Sequence, residues 1–119
     1  MLKKISHLLG LNHLNHIQAI WYISYSLIIK NEVSRKNLIN FLRDNSSYKL
    51  SFRTLHQATK FLLEQKFITV TYKNKDKWYK IVEGQFSLME VYAQQWVLYC
   101  ANQLPKVQEL PQTSRRSER

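Results

Sequence analysis

The chain has 119 residues, enough for one globular domain and too few for two ordinary ones. Eighteen Lys and Arg residues oppose eight Asp and Glu residues, so the net charge is +10 and the expected partners are polyanions, nucleic acid ahead of an anionic membrane surface. The single cysteine, Cys100, excludes an intramolecular disulfide and argues against a cysteine-ligated zinc site. No apolar run reaches the roughly 20 residues that a membrane span needs, and the first residues do not resemble a secretory signal, so a cytoplasmic protein is expected.

The charge is unevenly distributed along the chain. Eight basic residues lie within Lys49–Lys80 against two acidic ones, which gives this stretch a net charge of +6. The stretch Ile81–Leu104 contains no Lys or Arg, and Glu83 and Glu90 give it a charge of −2. The first stretch is therefore suited to meet phosphate groups, and the second is not.

The first stretch with helical periodicity runs from Asn15 to Lys30. Apolar residues recur there every three or four positions, which predicts a broad-faced helix. The helix is expected to end at Lys30-Asn31, because a basic residue followed by asparagine suits the last turn and a left-handed cap. A short additional helix is predicted over Met1–Leu11.

A second, shorter helix is predicted over Arg35–Arg43, after a brief extended link at Glu32-Val33. Ser34 is suited to cap its first turn, since a serine hydroxyl accepts hydrogen bonds from the free backbone amides there. The predicted inward stripe of this helix consists of Leu38, Phe41 and Leu42. The polar residues 44–47 that follow predict a turn.

The third predicted helix is followed by a β-hairpin. Ser51 is the expected N-cap of a helix from Phe52 to about Lys66. Its predicted core positions are Leu55, Ala58 and Leu62, with Thr59 and Leu63 beside them. The hydrophobic period then changes from 3.6 to 2, and residues 67–72 and 78–82 are predicted strands around a charged turn at 73–77. One face of the first strand is predicted to carry Ile68, Val70 and Tyr72.

A last long helix is predicted over Phe86–Leu104, after a break at Gly84. It is apolar around so much of its surface that, in a domain this small, a second copy of the chain is expected to cover part of it. The predicted dimer interface consists of Phe86, Met89, Ala93, Trp96, Val97 and Cys100. Residues 105–119 have few apolar side chains and are predicted to form a disordered basic tail.

This order of elements resembles a winged-helix domain of the PadR and MarR type of bacterial transcription regulator. The segment Leu50–Ile68 carries the likeness: a small capping residue opens the recognition helix, and a leucine-rich end leads into the first wing strand. The segment Lys77–Gly84 is similar to the second wing strand of that family, with alternating aromatic, basic and apolar residues. Two departures stand out: the glycine usual between the recognition helix and the wing is Lys66 or Phe67 here, and the wing tip has no glycine.

The resemblance implies a mainly α (α+β) fold. It is a winged helix-turn-helix with a two-stranded wing and a C-terminal dimerisation helix at 86–104. The domain is expected to span residues 1–104, with the tail at 105–119 outside it. The implied protein is a homodimer that binds double-stranded DNA.

The spacing of polar residues on the third helix supports DNA binding independently. Arg53, His56, Gln57, Lys60 and Glu64 recur at helical spacing on one face, opposite the apolar stripe. Arg and Gln can bond bidentately to guanine and adenine edges, whereas lysine is suited to phosphate. The predicted DNA contacts are Ser51, Arg53, Thr54, His56, Gln57 and Lys60 on the recognition helix, Lys73, Asn74, Lys75 and Lys77 in the wing, and Arg35 and Lys36 toward phosphate.

The sequence gives little support for an enzyme. It lacks a phosphate-binding glycine loop and a nucleophile motif, and its carboxylates are too sparse for a paired-carboxylate site. His13 and His16 have a spacing that would suit two metal ligands, but no carboxylate or cysteine lies near them, so a polar surface is preferred. Neither a metal nor a cofactor is predicted, and nothing in the sequence marks a pocket for a small-molecule effector.

Three hypotheses for the function remain open at this stage. The first is a sequence-specific, homodimeric repressor of transcription that binds a palindromic site. The second is a plasmid or phage factor for partition or replication that coats repeated sites. The third, from a different class, is a protein-interaction adaptor whose winged helix docks an acidic partner, with the lysines forming a solvated surface.

Overall fold

A computed structural model describes residues 12–45 and 48–102 of the chain. The described residues form four helices and five short strands in the order of a winged helix-turn-helix, as predicted. The helices are α1 (His16–Lys30), α2 (Arg35–Asn45), α3 (Phe52–Glu64) and α4 (Phe86–Asn102). The strands are β1 (Asn12–His13), β2 (Glu32–Ser34), β3 (Tyr48–Lys49), β4 (Ile68–Lys73) and β5 (Asp76–Ile81). The helix predicted over Met1–Leu11 and the tail predicted over 105–119 lie outside the described residues, as do Ser46 and Ser47.

Helix α1 ends at Lys30 as predicted and begins one residue after the predicted start, with Asn15 as its N-cap. The Asn15 side chain accepts a hydrogen bond from the Gln18 amide at 2.8 Å, and the Gln18 side chain accepts one from the Asn15 amide at 3.0 Å. This reciprocal capping box satisfies two amides that the helix leaves free. At the other end, Asn31 has φ of 75° and its N–H donates to the Leu27 carbonyl, as expected for the predicted cap.

The core is built around α1, which packs against both α3 and α4. Tyr22, Ile23 and Leu27 on α1 are almost completely buried. Aromatic rings fill the space between α1, β3 and α4: the Trp96 ring centroid lies 5.2 Å from that of Tyr22 and 5.6 Å from that of Tyr48. The Tyr22 hydroxyl also donates to the Leu38 carbonyl at 2.7 Å, which ties α1 to α2.

The apolar stripe of α4 faces its own chain, which corrects the predicted dimer interface. Met89, Ala93 and Trp96 are buried in the core, and Cys100 is half-buried beside them. Helical periodicity predicted a covered stripe correctly, but it does not say which chain covers it. Here α1 of the same chain does, so these three residues do not form an outer surface. The solvent-exposed apolar residues of α4 are Phe86, Leu88, Val91, Val97 and Leu98.

Helix α2 is capped as predicted but buries a different stripe. Ser34 Oγ accepts from the Asn37 amide at 3.0 Å, as an N-cap should. Leu38 and Leu42 are buried as predicted, whereas Phe41 is 45% exposed. The Phe41 ring instead lies under the ammonium of Lys30, whose Nζ is 5.2 Å from the ring centroid.

The two-stranded wing forms as predicted from β4 and β5, and a third strand joins it in one sheet. The segment predicted as an extended link is strand β2, which pairs antiparallel with β5 so that Val33 faces Tyr79. The sheet order is β2-β5-β4. A second small contact was also not predicted: β1 and β3 pair in parallel, and the Leu14 amide donates to the Lys49 carbonyl at 2.9 Å. Strand pairings this short have no sequence period to reveal them.

The wing turns tightly, without a glycine. Lys73 pairs with Asp76, so the loop consists of Asn74 and Lys75 alone, whose φ angles are 52° and 63°. Two positive φ angles in succession identify a type I′ turn, whose twist matches that of the flanking strands. The turn is therefore shorter than the predicted 73–77, and both strands extend further toward the tip.

The wing is anchored to the helices by side chains near its tip. The Asp76 carboxylate accepts from the Lys36 amide at 3.2 Å and from the Lys77 amide at 2.8 Å, so it binds the N-terminus of α2. Lys73 Nζ lies 3.0 Å from a Glu32 carboxylate oxygen and 4.7 Å from the centroid of the Trp78 ring. These contacts fix the direction in which the hairpin projects.

Lys66 occupies the C′ position of α3, a position at which helices commonly end with a glycine. Its φ is 63°, its N–H donates to the Leu63 carbonyl, and the Phe67 N–H donates to the Leu62 carbonyl. Together these hydrogen bonds form a Schellman motif. The Phe61 and Phe67 rings, 6.3 Å apart, supply the accompanying apolar contact.

We expect Lys66→Gly to raise the free energy of unfolding by about 0.5–1 kcal/mol, because relief of left-handed strain exceeds the added entropy of glycine. Chemical denaturation measures this change. Lys66→Ala is the matched control, since it removes the same charge but keeps the Cβ atom. An equal gain in both variants would mean that the charge, and not the backbone, is responsible.

We expect Asp76→Ala to loosen the wing and to lower the free energy of unfolding by about 1 kcal/mol, because the carboxylate caps α2. Hydrogen exchange should become faster at the Lys36 amide and stay unchanged at the Asn37 amide, which Ser34 holds. Asp44→Ala removes an equal charge from an exposed residue of the same helix and serves as the control. Unchanged exchange at Lys36 would contradict this account of the anchor.

Candidate nucleic-acid interface

Burial of one side of α3 determines which side chains face solvent. Leu55, Ala58, Thr59 and Leu62 are buried against the core, and the Thr59 hydroxyl donates to the Leu55 carbonyl at 2.9 Å. The opposite face is therefore exposed. It carries Arg53, His56, Gln57, Lys60 and Glu64, the same set that the helical spacing predicts.

The start of α3 is capped as predicted. Ser51 Oγ accepts from the Thr54 amide at 3.1 Å and donates to the Thr54 hydroxyl oxygen at 3.0 Å. The Ser51 hydroxyl is thus engaged within the cap, which leaves the proton of the Thr54 hydroxyl to donate elsewhere. Of these two predicted phosphate contacts, Thr54 is the better placed.

A groove lies between the exposed face of α3 and the wing. Lys60 from the helix and Lys77 from β5 both line it, together with His56 and the aromatic ring of Tyr72. By strand alternation Tyr72 shares a face of β4 with Ile68, as predicted, but Tyr72 is 73% exposed whereas Ile68 is buried. The hairpin at this point extends past the helix that covers its base, and no core remains there for the ring.

Tyr79 forms the floor of this groove. Burial is the main influence on its hydroxyl and raises its pKa above the ordinary value, against smaller opposing effects of the Thr59 hydroxyl and the Arg35 guanidinium. The phenol therefore stays neutral at physiological pH, and it adds no negative charge beneath the two lysines.

The first residues of α1 border the other side of α3. His16, Gln57, Lys60 and Phe61 line a shallow recess, and the His16 ring packs edge-on against Phe61 with centroids 6.1 Å apart. The imidazole therefore acts as a packing group at the rim of this face. Among residues 12–45 and 48–102, no three His, Cys, Asp or Glu side chains come together as metal ligands would.

The N-terminus of α2 extends the basic surface on the side of the wing. A recess of about 430 Å³ lies there, bordered by three basic side chains, those of Arg35, Lys36 and Arg43. Phe52, the first residue of α3, lies in this recess with its ring 5.2 Å from the Arg35 guanidinium carbon. Asp76 also lines it, through the contact that anchors the wing.

The predicted wing residues differ in what they contact. Lys73 is held by Glu32 and Trp78, so its ammonium is partly neutralised within the chain. Asn74 and Lys75 form the exposed turn, and Lys77 points into the groove beside α3. Lys75 and Lys77 are therefore the wing residues with charge to offer a partner, and Lys73 serves to position the hairpin.

Sequence reasoning missed three residues of this surface: Phe52, Tyr72 and Asp76. Helical spacing puts Phe52 on the side of Leu55 and Thr59, three and seven residues further on, so the sequence gives no signal that Phe52 is exposed. No signal exists for Asp76 either, because its partner amide is 40 residues away in the chain. The exposure of Tyr72 depends on how far the wing projects beyond the core.

Comparison with solved structures finds the same fold in several proteins. The circadian clock associated protein Pex from Anabaena superposes with a TM-score of 0.72 at 27% sequence identity, over 78% of this chain and 86% of that one. Pex from Synechococcus sp. (strain PCC 7942) gives a TM-score of 0.71 at 22% identity, over 77% of this chain and 88% of that one. A transcriptional regulator from Clostridium thermocellum gives 0.53 at 16% identity, over 82% and 91%.

No protein-family model matches the sequence, and no curated protein does. Among the described residues, no helix is long and apolar enough to cross a membrane. The PadR or MarR type that the sequence resembles stays a prediction. The chain has a winged helix-turn-helix fold, which it shares with these solved structures.

Proposed function

We propose that this protein is a homodimeric, sequence-specific DNA-binding repressor of transcription. The observation that carries the proposal is one exposed basic surface formed by three separate elements: the outer face of α3, the start of α2 and the tip of the wing. Elements that are distant in the chain place their basic side chains on the same side of the domain. Basic residues that serve only solubility would not need to be grouped in this way. A polyanion with a groove for one helix fits this arrangement.

The residues on this surface have different tasks. Arg53 and Gln57 are exposed on the middle of the face and can each make two hydrogen bonds to a base edge in the major groove. The remaining basic residues are suited to phosphates on either side, which sets the register of the protein on the duplex. With about 6–10 phosphate contacts, the affinity should fall by about 10³–10⁵ between 50 and 200 mM salt. The proposed phosphate contacts are Arg35, Lys36, Lys60, Lys75 and Lys77.

Dimerisation is proposed through the outer face of α4. Val91 and Leu98 are 54% and 55% exposed there, and Leu88 extends the same apolar strip. Glu90 is the only charged residue of this helix. Because each copy carries a charge of +10, two copies meet most easily along a face without cations. A two-fold axis here would place two α3 helices on a palindromic site.

Repression is the regulatory role that needs DNA binding alone. A dimer that holds a promoter blocks other proteins from it without any further activity, and the surface described above suffices for that. A partition or replication factor would instead coat tandem sites, and an adaptor would bind an acidic protein in place of DNA.

We expect selection from a random duplex library at 150 mM salt to yield one palindromic sequence. The double variant Arg53→Ala with Gln57→Ala should lose at least tenfold of its preference for that sequence, because each bidentate base contact contributes about 1–3 kcal/mol of discrimination. Fluorescence anisotropy with the selected and a scrambled duplex measures the preference.

Lys60→Ala is the contrasting variant in that experiment. It should weaken binding to both duplexes equally and reduce the slope of log affinity against log salt by about 1.8, as loss of two phosphate contacts per dimer does. Lys30→Ala, which removes a charge at the far end of α1, should change neither quantity. Selected tandem repeats would favour a partition or replication factor, and the absence of any duplex binding would reject the proposal.

We expect Leu98→Glu to convert the dimer to a monomer without lowering the thermal stability of the monomer, because the side chain is exposed in the isolated chain. Sedimentation equilibrium measures the mass. The matched control is Ile17→Glu on α1, whose side chain is exposed to a similar extent, 56%. A wild-type monomer, or a Leu98→Glu variant that still dimerises, would reject α4 as the interface.

A further inference from the structure

Phe52 is an apolar side chain in the most basic part of the surface. It is 63% exposed, although a buried position on the core side of α3 lies only three residues further on, at Leu55. It shares the recess with Arg35, Lys36 and Arg43, and with the Asp76 carboxylate, which accepts from the Lys36 and Lys77 amides. Single exposed apolar side chains are common on protein surfaces, so the feature that distinguishes Phe52 is its place in one recess with three basic side chains.

The ring is held in a defined direction. Ser51 caps the helix directly before it, which fixes the backbone of the first turn. The Arg35 guanidinium lies 5.2 Å from the ring centroid and restrains the ring from the side of α2. A side chain fixed in this way is able to read a partner, since little conformational entropy is lost on contact.

The surroundings of Phe52 limit what the partner can be. The partner must bring negative charge to three basic side chains and, within the same few ångströms, an apolar group to the ring. Duplex DNA presents both, because phosphates border the major groove and the C5-methyl group of thymine projects into it. The first residues of a recognition helix are those that reach base edges.

We propose that Phe52 reads thymine, by packing its ring on the C5-methyl group of one thymine per half-site. This inference rests on the proposed DNA-binding function and adds a specificity-determining residue to it. The ring contacts a base next to those that Arg53 and Gln57 contact, and it discriminates against cytosine, which lacks the methyl group. Burial of one methyl group corresponds to about a fourfold change in affinity.

The test removes the methyl group from the DNA instead of from the protein. Each thymine of the selected site is replaced in turn by deoxyuridine, which pairs identically and lacks only the C5-methyl group. We expect one thymine per half-site at which the wild-type protein loses about fourfold in affinity, while Phe52→Ala binds the thymine and deoxyuridine duplexes equally. Phe52→Leu, which keeps an apolar side chain, should retain part of the difference.

Phe41→Ala is the matched control. Phe41 is also an exposed phenylalanine under a cation, with Lys30 Nζ 5.2 Å from its centroid, but it lies on α2 away from the recess. This variant should show the same loss on deoxyuridine as the wild type. Melting temperatures of all variants establish that each is folded, and both rings are exposed, so their removal leaves the buried core intact.

The outcomes separate the two proposals. One outcome is that the protein selects a duplex sequence and yet shows, at every thymine position, the same ratio of thymine-duplex to deoxyuridine-duplex affinity in the wild type and in Phe52→Ala. In that case the contact with thymine is rejected and DNA binding stands. A selected site without thymine has the same meaning. If no duplex is bound and an acidic peptide is bound through Phe52 instead, both proposals are rejected.

Discussion

The packing of α1 against both α3 and α4 is the contact on which the rest of the molecule depends. Burial of Leu55, Ala58 and Leu62 against the core removes one side of α3 from solvent, and the polar set from Arg53 to Glu64 is thereby turned outward. The same helix covers Met89 and Trp96 of α4. Helix α1 thus orients both the basic face of α3 and the outer face of α4, which carries no basic residue.

The second constraint is electrostatic and concerns the wing. A hairpin that projects beyond the core has few apolar contacts to hold it, as the exposure of Tyr72 illustrates. Asp76 and Glu32 take over this task by binding the start of α2 and the ammonium of Lys73. In a chain of charge +10, these two acidic residues near the basic surface therefore have a structural role. They fix the hairpin, and the hairpin positions the lysines that have no partner carboxylate among the described contacts, Lys75 and Lys77.

The basic surface combines charge with exposed aromatic rings, and this combination favours DNA over a nonspecific polyanion partner. Charge alone binds any phosphate backbone and distinguishes no sequence. Discrimination needs hydrogen-bonding side chains such as Arg53 and Gln57 and apolar ones such as Phe52, placed where a groove can receive them. The proposed contact with a base edge would bury part of the exposed Phe52 ring.

The sequence by itself determined the order of the elements, their caps and the exposed set on α3, because these follow from local periods and from side chains that bond to nearby backbone. Ser34 and Ser51 cap the helices that the sequence assigns to them. Periodicity cannot identify the partner of an apolar stripe, however, since every covering surface produces the same pattern.

Only the tertiary structure therefore decided that the stripe of α4 is buried within its own chain, leaving Val91 and Leu98 outside. Segments distant in the chain likewise decided three other features: the third strand of the sheet, the exposure of Phe41 and Tyr72, and the contact of Asp76 with the Lys36 amide. Their common physical reason is that each depends on which surfaces meet in space, and local sequence patterns carry no record of that.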